Sequence, residues 1–149
     1  MGGDGRRASR LGETYLDQLA ERGDRLPGCR PVLNALRRRY RLGVVTNGID
    51  RVQRARLAAS GLAPLFEVVV TSQSCGYAKP DPRILQVALD ALQTQARHAV
   101  YVGDDPATDG AAARAAGVRF VLVDHAGGRS AGGAAGRRVR SLHELVSLL

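Results

Sequence analysis

Three groups of polar residues in this sequence could act together on a phosphate group. They comprise a hydroxyl beside a flexible turn, an ammonium group and a cluster of carboxylates. In chain order they are Thr46, Asn47 and Gly48, then Lys79, then Asp104, Asp105 and Asp109. Hydroxyl and ammonium groups hold phosphate oxygens, and a cation held by carboxylates neutralises the charge that develops on them. The combination therefore predicts phosphate binding or phosphoryl transfer.

Lys79 is the only lysine among 22 basic residues, the rest being arginine. An ammonium and a guanidinium are not interchangeable, so this position is a candidate for a role that needs an ammonium. Pro80 biases Lys79 toward extended backbone, and Asp81 is a good helix N-cap. The sequence therefore predicts that Lys79 lies beside a helix N-terminus, near the binding edge of the sheet. The alternative is an ordinary lysine that is a solvated surface charge.

The carboxylates of the segment VGDDPATDG are predicted to hold a metal ion. Asp104 ends an apolar run, Asp105 can cap the helix that Pro106 opens, and Asp109 lies about one turn further on. Helical side chains lean toward the N-terminus, so Asp104 and Asp109 can converge. Carboxylate oxygens that converge suit a hard cation, and Mg²⁺ is the one we expect. The alternative is that Asp105 caps the helix and the other two carboxylates are solvated.

The turn after the first apolar run has two interpretations. The hydroxyl of Thr46, with free backbone N–H groups at Asn47 and Gly48, suits an anionic oxygen. The alternative is a simple cap and turn with no ligand.

Apolar runs alternate with helical patterns along most of the chain. This alternation predicts an α/β fold with a parallel, Rossmann-like sheet and helices on both faces. Ligands bind at the carboxyl ends of such strands, where the polar groups above are found. The predicted strands are 41–45, 67–72, 98–102 and 118–124, and the predicted helices are 11–22, 31–40, 50–60, 81–93, 106–116 and 141–149.

Length and composition limit the classes of protein to which this chain can belong. The 149 residues amount to one domain, no apolar run approaches the roughly 18 residues that span a bilayer, and the N-terminus is not a secretory signal. We therefore expect a cytoplasmic protein without a membrane partner. The net charge of +8 suggests a nucleic-acid partner. Against this, the arginines are scattered along the chain and aromatic residues make up only 4% of it. An arginine-rich nucleic-acid binder is the least favoured alternative.

The order of the motifs separates two families that use such a set of groups. In response-regulator receivers the acidic pair comes first, whereas here it comes last. The sequence instead resembles the haloacid dehalogenase superfamily of phosphohydrolases. The stretch that resembles its second motif is VVTNG, the third GYAKPDPRI and the fourth VGDDPATDGAAARAAG. The surrounding sequence resembles its capped members of the pyrimidine nucleotidase and phosphoglycolate phosphatase types.

This resemblance implies an Mg²⁺-dependent phosphatase that acts on a small phosphorylated metabolite. Thr46 and Asn47 would bind the phosphate, Lys79 would pair with the phosphate and the nucleophile, and Asp104 would hold the metal with Asp109 or Asp105. Residues 1–27 would be a loose N-terminus and a remnant of a cap helix. Residues 28–149 would form an incomplete core, with 125–140 a flexible Gly/Ala/Arg loop.

The superfamily's first motif, Asp-x-Asp after an apolar strand, does not occur in these 149 residues. Its first Asp would be the nucleophile that forms an aspartyl-phosphate, and its strand would be the centre of the sheet. We therefore expect this chain to be inactive and to be a fragment or the product of a misplaced start. The alternative is a genuine short protein that binds phosphate or a partner without catalysis. The two strands beside the missing one would then pair directly, or their unpaired edges would support self-association.

Overall fold

The computed structural model describes residues 27–124 and 137–149, in which helices and strands alternate. The strands are β1 Gly43–Thr46, β2 Val68–Thr71, β3 Val100–Gly103, β4 Arg119–Val123 and β5 Arg137–Val139. The helices are α1 Cys29–Leu36, α2 Asp50–Ala59, α3 Ser72–Cys75, α4 Arg83–Ala91, α5 Ala111–Ala115 and α6 Glu144–Leu148. Short 3₁₀ segments cover Ala63–Leu65 and Ala96–His98, and a π-helical turn covers Pro106–Gly110. The predicted helix 11–22 lies outside the described residues.

Every strand pair in the described residues is parallel. β1 pairs with β2, and β3, β4 and β5 pair in that order. Valine-rich strands of four or five residues that alternate with helices are typical of this arrangement. The predicted α/β class is therefore confirmed.

Two apolar clusters cover the two faces of β4. Phe120 packs with Ile84 and Leu85 of α4 and with the alanines of α5. On the other face, Val121 and Val123 pack with α1, β5 and α6. Successive side chains of a strand point to opposite faces, so β4 is covered on both sides by helices, as predicted.

The described strands form two separate ladders, β1–β2 and β3–β4–β5. The expectation that β1 and β3 pair directly is wrong, because no ladder joins them in the part of the chain that the structure describes. Neither strand has a fully buried residue, whereas β2 and β4 do. Among the described residues, β1 and β3 thus each pair on one side only.

Most predicted bounds differ from the observed ones by up to three residues, and two differences are larger. The helix predicted over 31–40 ends at Leu36. Beyond it the chain turns, and the side chains of Arg39 and Tyr40 donate to the backbone oxygen of Leu149. The predicted loop 125–140 is wrong over Arg137–Val139, which form β5. Val139 is buried against β4, and three residues are too few to show a strand period. Residues 125–136 lie outside the described residues.

None of the helices in the described ranges is long and apolar enough to cross a membrane.

Candidate phosphate-binding site

The carboxyl ends of β1 and β3 meet at Lys79. The Nζ atom of Lys79 lies 2.7 Å from Oδ1 of Asp109, which follows β3. The backbone of Lys79 is bonded to Asn47, which follows β1. The structure therefore brings together the three groups that the sequence analysis singled out.

Asp109 is the buried anchor of the site. Its side chain is 6% exposed and that of Lys79 is 13% exposed, so the ion pair is largely shielded from water. Besides Lys79, the carboxylate accepts hydrogen bonds from the Tyr101 hydroxyl at 3.2 Å and from the backbone N–H groups of Asp104 and Asp105 at 3.1 and 3.2 Å. Four donors satisfy the carboxylate, which explains how a charged group can be buried here.

Two features of the sequence hold Asp109 in place. Asp105 caps the turn as predicted, because its carboxylate accepts from the N–H of Ala107 at 2.8 Å and from the hydroxyl of Thr108 at 2.8 Å. The bond from Thr108, followed by that from Ala107, lowers the pKa of Asp105. Gly103 is the second feature, since a Cβ there would lie 2.3 Å from Oδ2 of Asp109. The glycine at the end of β3 therefore makes room for the carboxylate.

The ammonium of Lys79 remains charged at neutral pH. Burial lowers the pKa of Lys79, but the hydrogen bonds to Asp109 and Tyr101 outweigh burial and the net shift is upward. The ammonium has three donors, and the structure gives it two acceptors, Asp109 and Tyr101. No acceptor among the described residues takes the third N–H, which can therefore donate to an oxygen of a ligand.

Asn47 uses its side chain to hold Lys79. Its Nδ2 donates to the carbonyl of Lys79 at 3.0 Å, and its Oδ1 accepts from the N–H of Lys79 at 2.8 Å. Both polar groups of the amide are thus engaged. The Asn47 side chain therefore holds Lys79 in place, and phosphate binding by Asn47 stays a prediction.

Gly48 is engaged in a similar way. Its N–H donates to the hydroxyl of Ser72 at 2.8 Å, so this N–H is not the free anion donor that the sequence analysis expected. Its φ of 142° is in the region that favours glycine, and a Cβ would lie 2.7 Å from Nε2 of Gln53. Gly48 therefore shapes the turn.

Thr46 keeps a hydroxyl that can reach a ligand. Its Oγ1 makes one long bond, 3.3 Å, to the carbonyl of the next residue. Thr46 is half-buried and ends β1 beside the residue that clasps Lys79. This weak local bond can be exchanged for a bond to a phosphate oxygen.

The assignment of a magnesium ion to Asp104 with Asp109 or Asp105 stays a prediction. No group of three or more His, Cys, Asp or Glu residues among the described residues could hold a metal ion. The reason is that Asp109 is satisfied by Lys79, Tyr101 and the backbone, while Asp105 caps the helical turn. Asp104 and Asp105 are both exposed, but within the described residues only the Asp105 carboxylate is engaged in hydrogen bonds, which leaves that of Asp104 for a ligand.

The sequence analysis missed Tyr101 and Ser72. Tyr101 reads as an apolar strand residue, yet its hydroxyl touches both members of the ion pair. Ser72 directly follows β2, and its hydroxyl fixes the turn after β1. A signal was available for Ser72, because it stands at the carboxyl end of the neighbouring parallel strand.

The chain matches the haloacid dehalogenase-like hydrolase family over residues 7–123. This match covers most of the chain, and the chain belongs to that family.

Three curated relatives are phosphatases with different named substrates. A phosphoserine phosphatase of Thermus thermophilus is 40% identical over 83% of this chain and 49% of its own length. The pyrimidine 5'-nucleotidase YjjG of Escherichia coli is 34% identical over 94% of this chain and 63% of its own length. A phosphoglycolate phosphatase of Cupriavidus necator is 41% identical over 91% of this chain and 60% of its own length. The chain thus spans about half to three fifths of the length of these relatives.

A solved structure supports the fold. The hydrolase YfnB of Bacillus subtilis, solved bound to magnesium, superposes with a TM-score of 0.86 at 25% identity, over 93% of this chain and 61% of that one. The Rossmann-like fold expected from the sequence is therefore shared with known members of the family.

Proposed function

We propose that this chain forms the phosphate-binding half of a phosphatase site for small phosphomonoesters. The observation that carries the proposal is the Lys79 ammonium, fixed at 2.7 Å from buried Asp109 with one N–H left over, at the carboxyl ends of the strands. A preorganised cation in a partly dry site binds anionic oxygens more strongly than one in water. The phosphatase names of the three relatives also support this assignment.

Each residue has a distinct part in this proposal. Lys79 binds and neutralises phosphate oxygens, and Thr46 donates its hydroxyl to one of them. Asn47 and Asp109 hold the lysine from its two ends. Hydrolysis also needs a group that attacks phosphorus, and the sequence contains no Asp-x-Asp. We infer that these 149 residues bind phosphate without turning over a phosphomonoester.

The described residues supply few carboxylate ligands for magnesium at this site. Mg²⁺ is commonly held by one or two carboxylates together with waters and substrate phosphate. Asp104 is the carboxylate in the described residues that could take this part, and the bound ion would neutralise charge on the phosphate. We expect magnesium to bind weakly in the absence of phosphate.

The first test measures binding of inorganic phosphate to the whole chain by calorimetry, with and without Mg²⁺. Lys79→Met should weaken binding about tenfold or more, because it removes a hydrogen bond to a charged group. Asn47→Ala should weaken it less, since the ammonium remains but is less well held. Arg97→Ala is the matched control, because Arg97 precedes β3 and lies at the opposite end of that strand from the site.

The outcomes separate clearly. Phosphate binding that Lys79→Met abolishes and Arg97→Ala leaves intact supports the proposal. No binding by the wild-type chain, or equal loss in both variants, overturns it. Hydrolysis of p-nitrophenyl phosphate that survives Asp104→Ala would contradict the inferred lack of turnover.

The unpaired edges of β1 and β3 favour a second candidate, a protein that binds a partner through added strands. Exposed strand edges readily pair with another chain, including a second copy of this one. Sedimentation at several concentrations tests self-association. A monomer at every concentration would remove a second copy as the partner.

A further inference from the structure

Tyr101 is half-buried, and none of the motifs described above assigns a role to its hydroxyl. It stands in β3, two residues before Gly103, and its ring packs 6.3 Å from that of Phe120 in the apolar core. The ring alone would serve as an ordinary core residue. The hydroxyl, however, reaches away from the core toward the candidate site.

The hydroxyl has three polar neighbours. It lies 3.0 Å from Nζ of Lys79, 3.2 Å from Oδ1 of Asp109 and 3.4 Å from the carbonyl oxygen of Val45. An ammonium can only donate, so the phenol oxygen accepts from Lys79. Its single proton goes to the nearer acceptor, the Asp109 carboxylate, and the Val45 carbonyl is the more distant of the two acceptors. Burial, the largest cause, raises the pKa of Tyr101, so the phenol keeps this proton at neutral pH.

These contacts also cross between the two ladders. Tyr101 belongs to β3, whereas Val45 belongs to β1, and no backbone ladder joins these strands in the described residues. The ammonium lies 5.7 Å from the centre of the tyrosine ring, so it sits beside the hydroxyl end of the side chain. The phenol is therefore placed to fix Lys79 relative to both strand ends.

We propose that Tyr101 is a positioning residue for phosphate binding: its hydroxyl holds the Lys79 ammonium so that the third N–H faces the ligand. This inference rests on the proposed function and deepens it. With two N–H groups directed to Asp109 and Tyr101, the direction of the third is set. Without the hydroxyl, the ammonium can rotate about its bond to Asp109, and the preorganisation is lost.

Tyr101→Phe tests the hydroxyl alone, because it keeps the ring that packs on Phe120. Lys79 is the only lysine, so protein labelled with ¹⁵N at the lysine side chain gives a single ammonium signal. In wild type this signal should be protected from exchange with water. In Tyr101→Phe it should shift and exchange faster, and Lys79→Met should remove it.

Tyr40→Phe is the matched control. It also deletes a tyrosine hydroxyl that makes a hydrogen bond, but that bond goes to the carbonyl of Leu149. The ammonium signal should be unchanged in this variant. An equal signal in wild type and Tyr101→Phe would overturn the proposal, as would an equal change in both tyrosine variants.

Affinity for inorganic phosphate gives the functional readout. Tyr101→Phe should raise Kd about three- to tenfold, the value of one hydrogen bond. In a Lys79→Met background the same change should have almost no effect, because Tyr101 acts through the lysine. An undiminished effect in that background would show that Tyr101 does not act through Lys79.

Two results keep this inference separate from the proposed function. The ammonium signal can be recorded without phosphate. If the wild-type chain binds no phosphate, the proposed function is overturned, but the signal still tests the contact between Tyr101 and Lys79. If Tyr101→Phe fails to fold, a nuclear Overhauser effect between the lysine ζ protons and the tyrosine ring in wild type gives the answer. Its absence would overturn the contact itself.

Discussion

The ends of β1 and β3 carry similar polar sequences but use them differently. After β1, the Asn47 side chain bonds to Lys79 and the Gly48 N–H bonds to Ser72, in surroundings that are open to solvent. After β3, Asp109 is buried and gathers four donors around one carboxylate. Both strand ends thus devote most of their polar groups to holding other residues.

The difference lies in where the ligand-facing groups come from. The β1 end contributes one hydroxyl, that of Thr46, whereas the β3 end contributes the carboxylate of Asp104, which no hydrogen bond within the described residues engages. Lys79 belongs to neither strand and is held by both ends. A binding site made of few ligand-facing groups and many supporting ones is what preorganisation requires. Changes at the two ends should therefore have unequal costs.

The largest effect is expected at the buried end. Asp109→Asn leaves the ammonium of Lys79 without its counter-charge, and the free energy of unfolding should fall by about 3–5 kcal/mol. Urea unfolding measures this loss. Adding Lys79→Met should restore part of it, because the unpaired buried charge is then removed. A double variant no more stable than Asp109→Asn would show that the pair is not the cause.

Gly103→Ala should come next. The added Cβ would lie 2.3 Å from Oδ2 of Asp109, so the carboxylate or the strand must move, at about 1–3 kcal/mol of overpacking cost. Gly43→Ala in β1 is the control, since its Cβ would meet the flexible end of Leu92 at 3.2 Å. Urea unfolding measures the loss of stability in each variant. Equal losses would contradict the tighter packing at the β3 end.

The smallest effect is expected at the exposed cap of the same end. Asp105→Ala should lower Tm at pH 7, because the carboxylate caps the turn. The pKa of Asp105 is lowered by folding, so its stabilisation is present above the ordinary value near 3.8 and is lost as pH falls through the folded pKa.

The difference in Tm between wild type and Asp105→Ala should therefore shrink in acid. Thermal melts from pH 7 to pH 2.5 measure it. Asp104→Ala, the exposed neighbour, should melt like wild type throughout. A difference that persists unchanged at pH 2.5 would mean that the ionised carboxylate is not what stabilises the turn.

Much of the architecture could be predicted from the sequence. Valine-rich runs ended by polar turns gave four of the five strands, and the capping role of Asp105 follows from the residue types around Pro106. Gly61 and Gly117 have positive φ and end their helices, as the periodicity indicates. These features depend on neighbours in the chain, and local preferences decide them.

The rest depends on which distant groups meet. Nothing near Asn47 says that its amide faces the backbone of Lys79, 32 residues away. Tyr101 looks like any aromatic strand residue until Lys79 is placed beside it. β5 follows a Gly- and Ala-rich stretch, and only its pairing with β4 makes it a strand.

The unpaired edges of β1 and β3 reverse the usual ranking of local stability. In most doubly wound sheets the central strands have the slowest amide exchange, because they are paired on both sides and covered on both faces. Here β4 has that position, with partners on both sides and buried residues on both faces. In the part of the chain that the structure describes, β1 and β3 each pair on one side only, so their amides should exchange faster than those of β4, and the candidate site lies at their carboxyl ends.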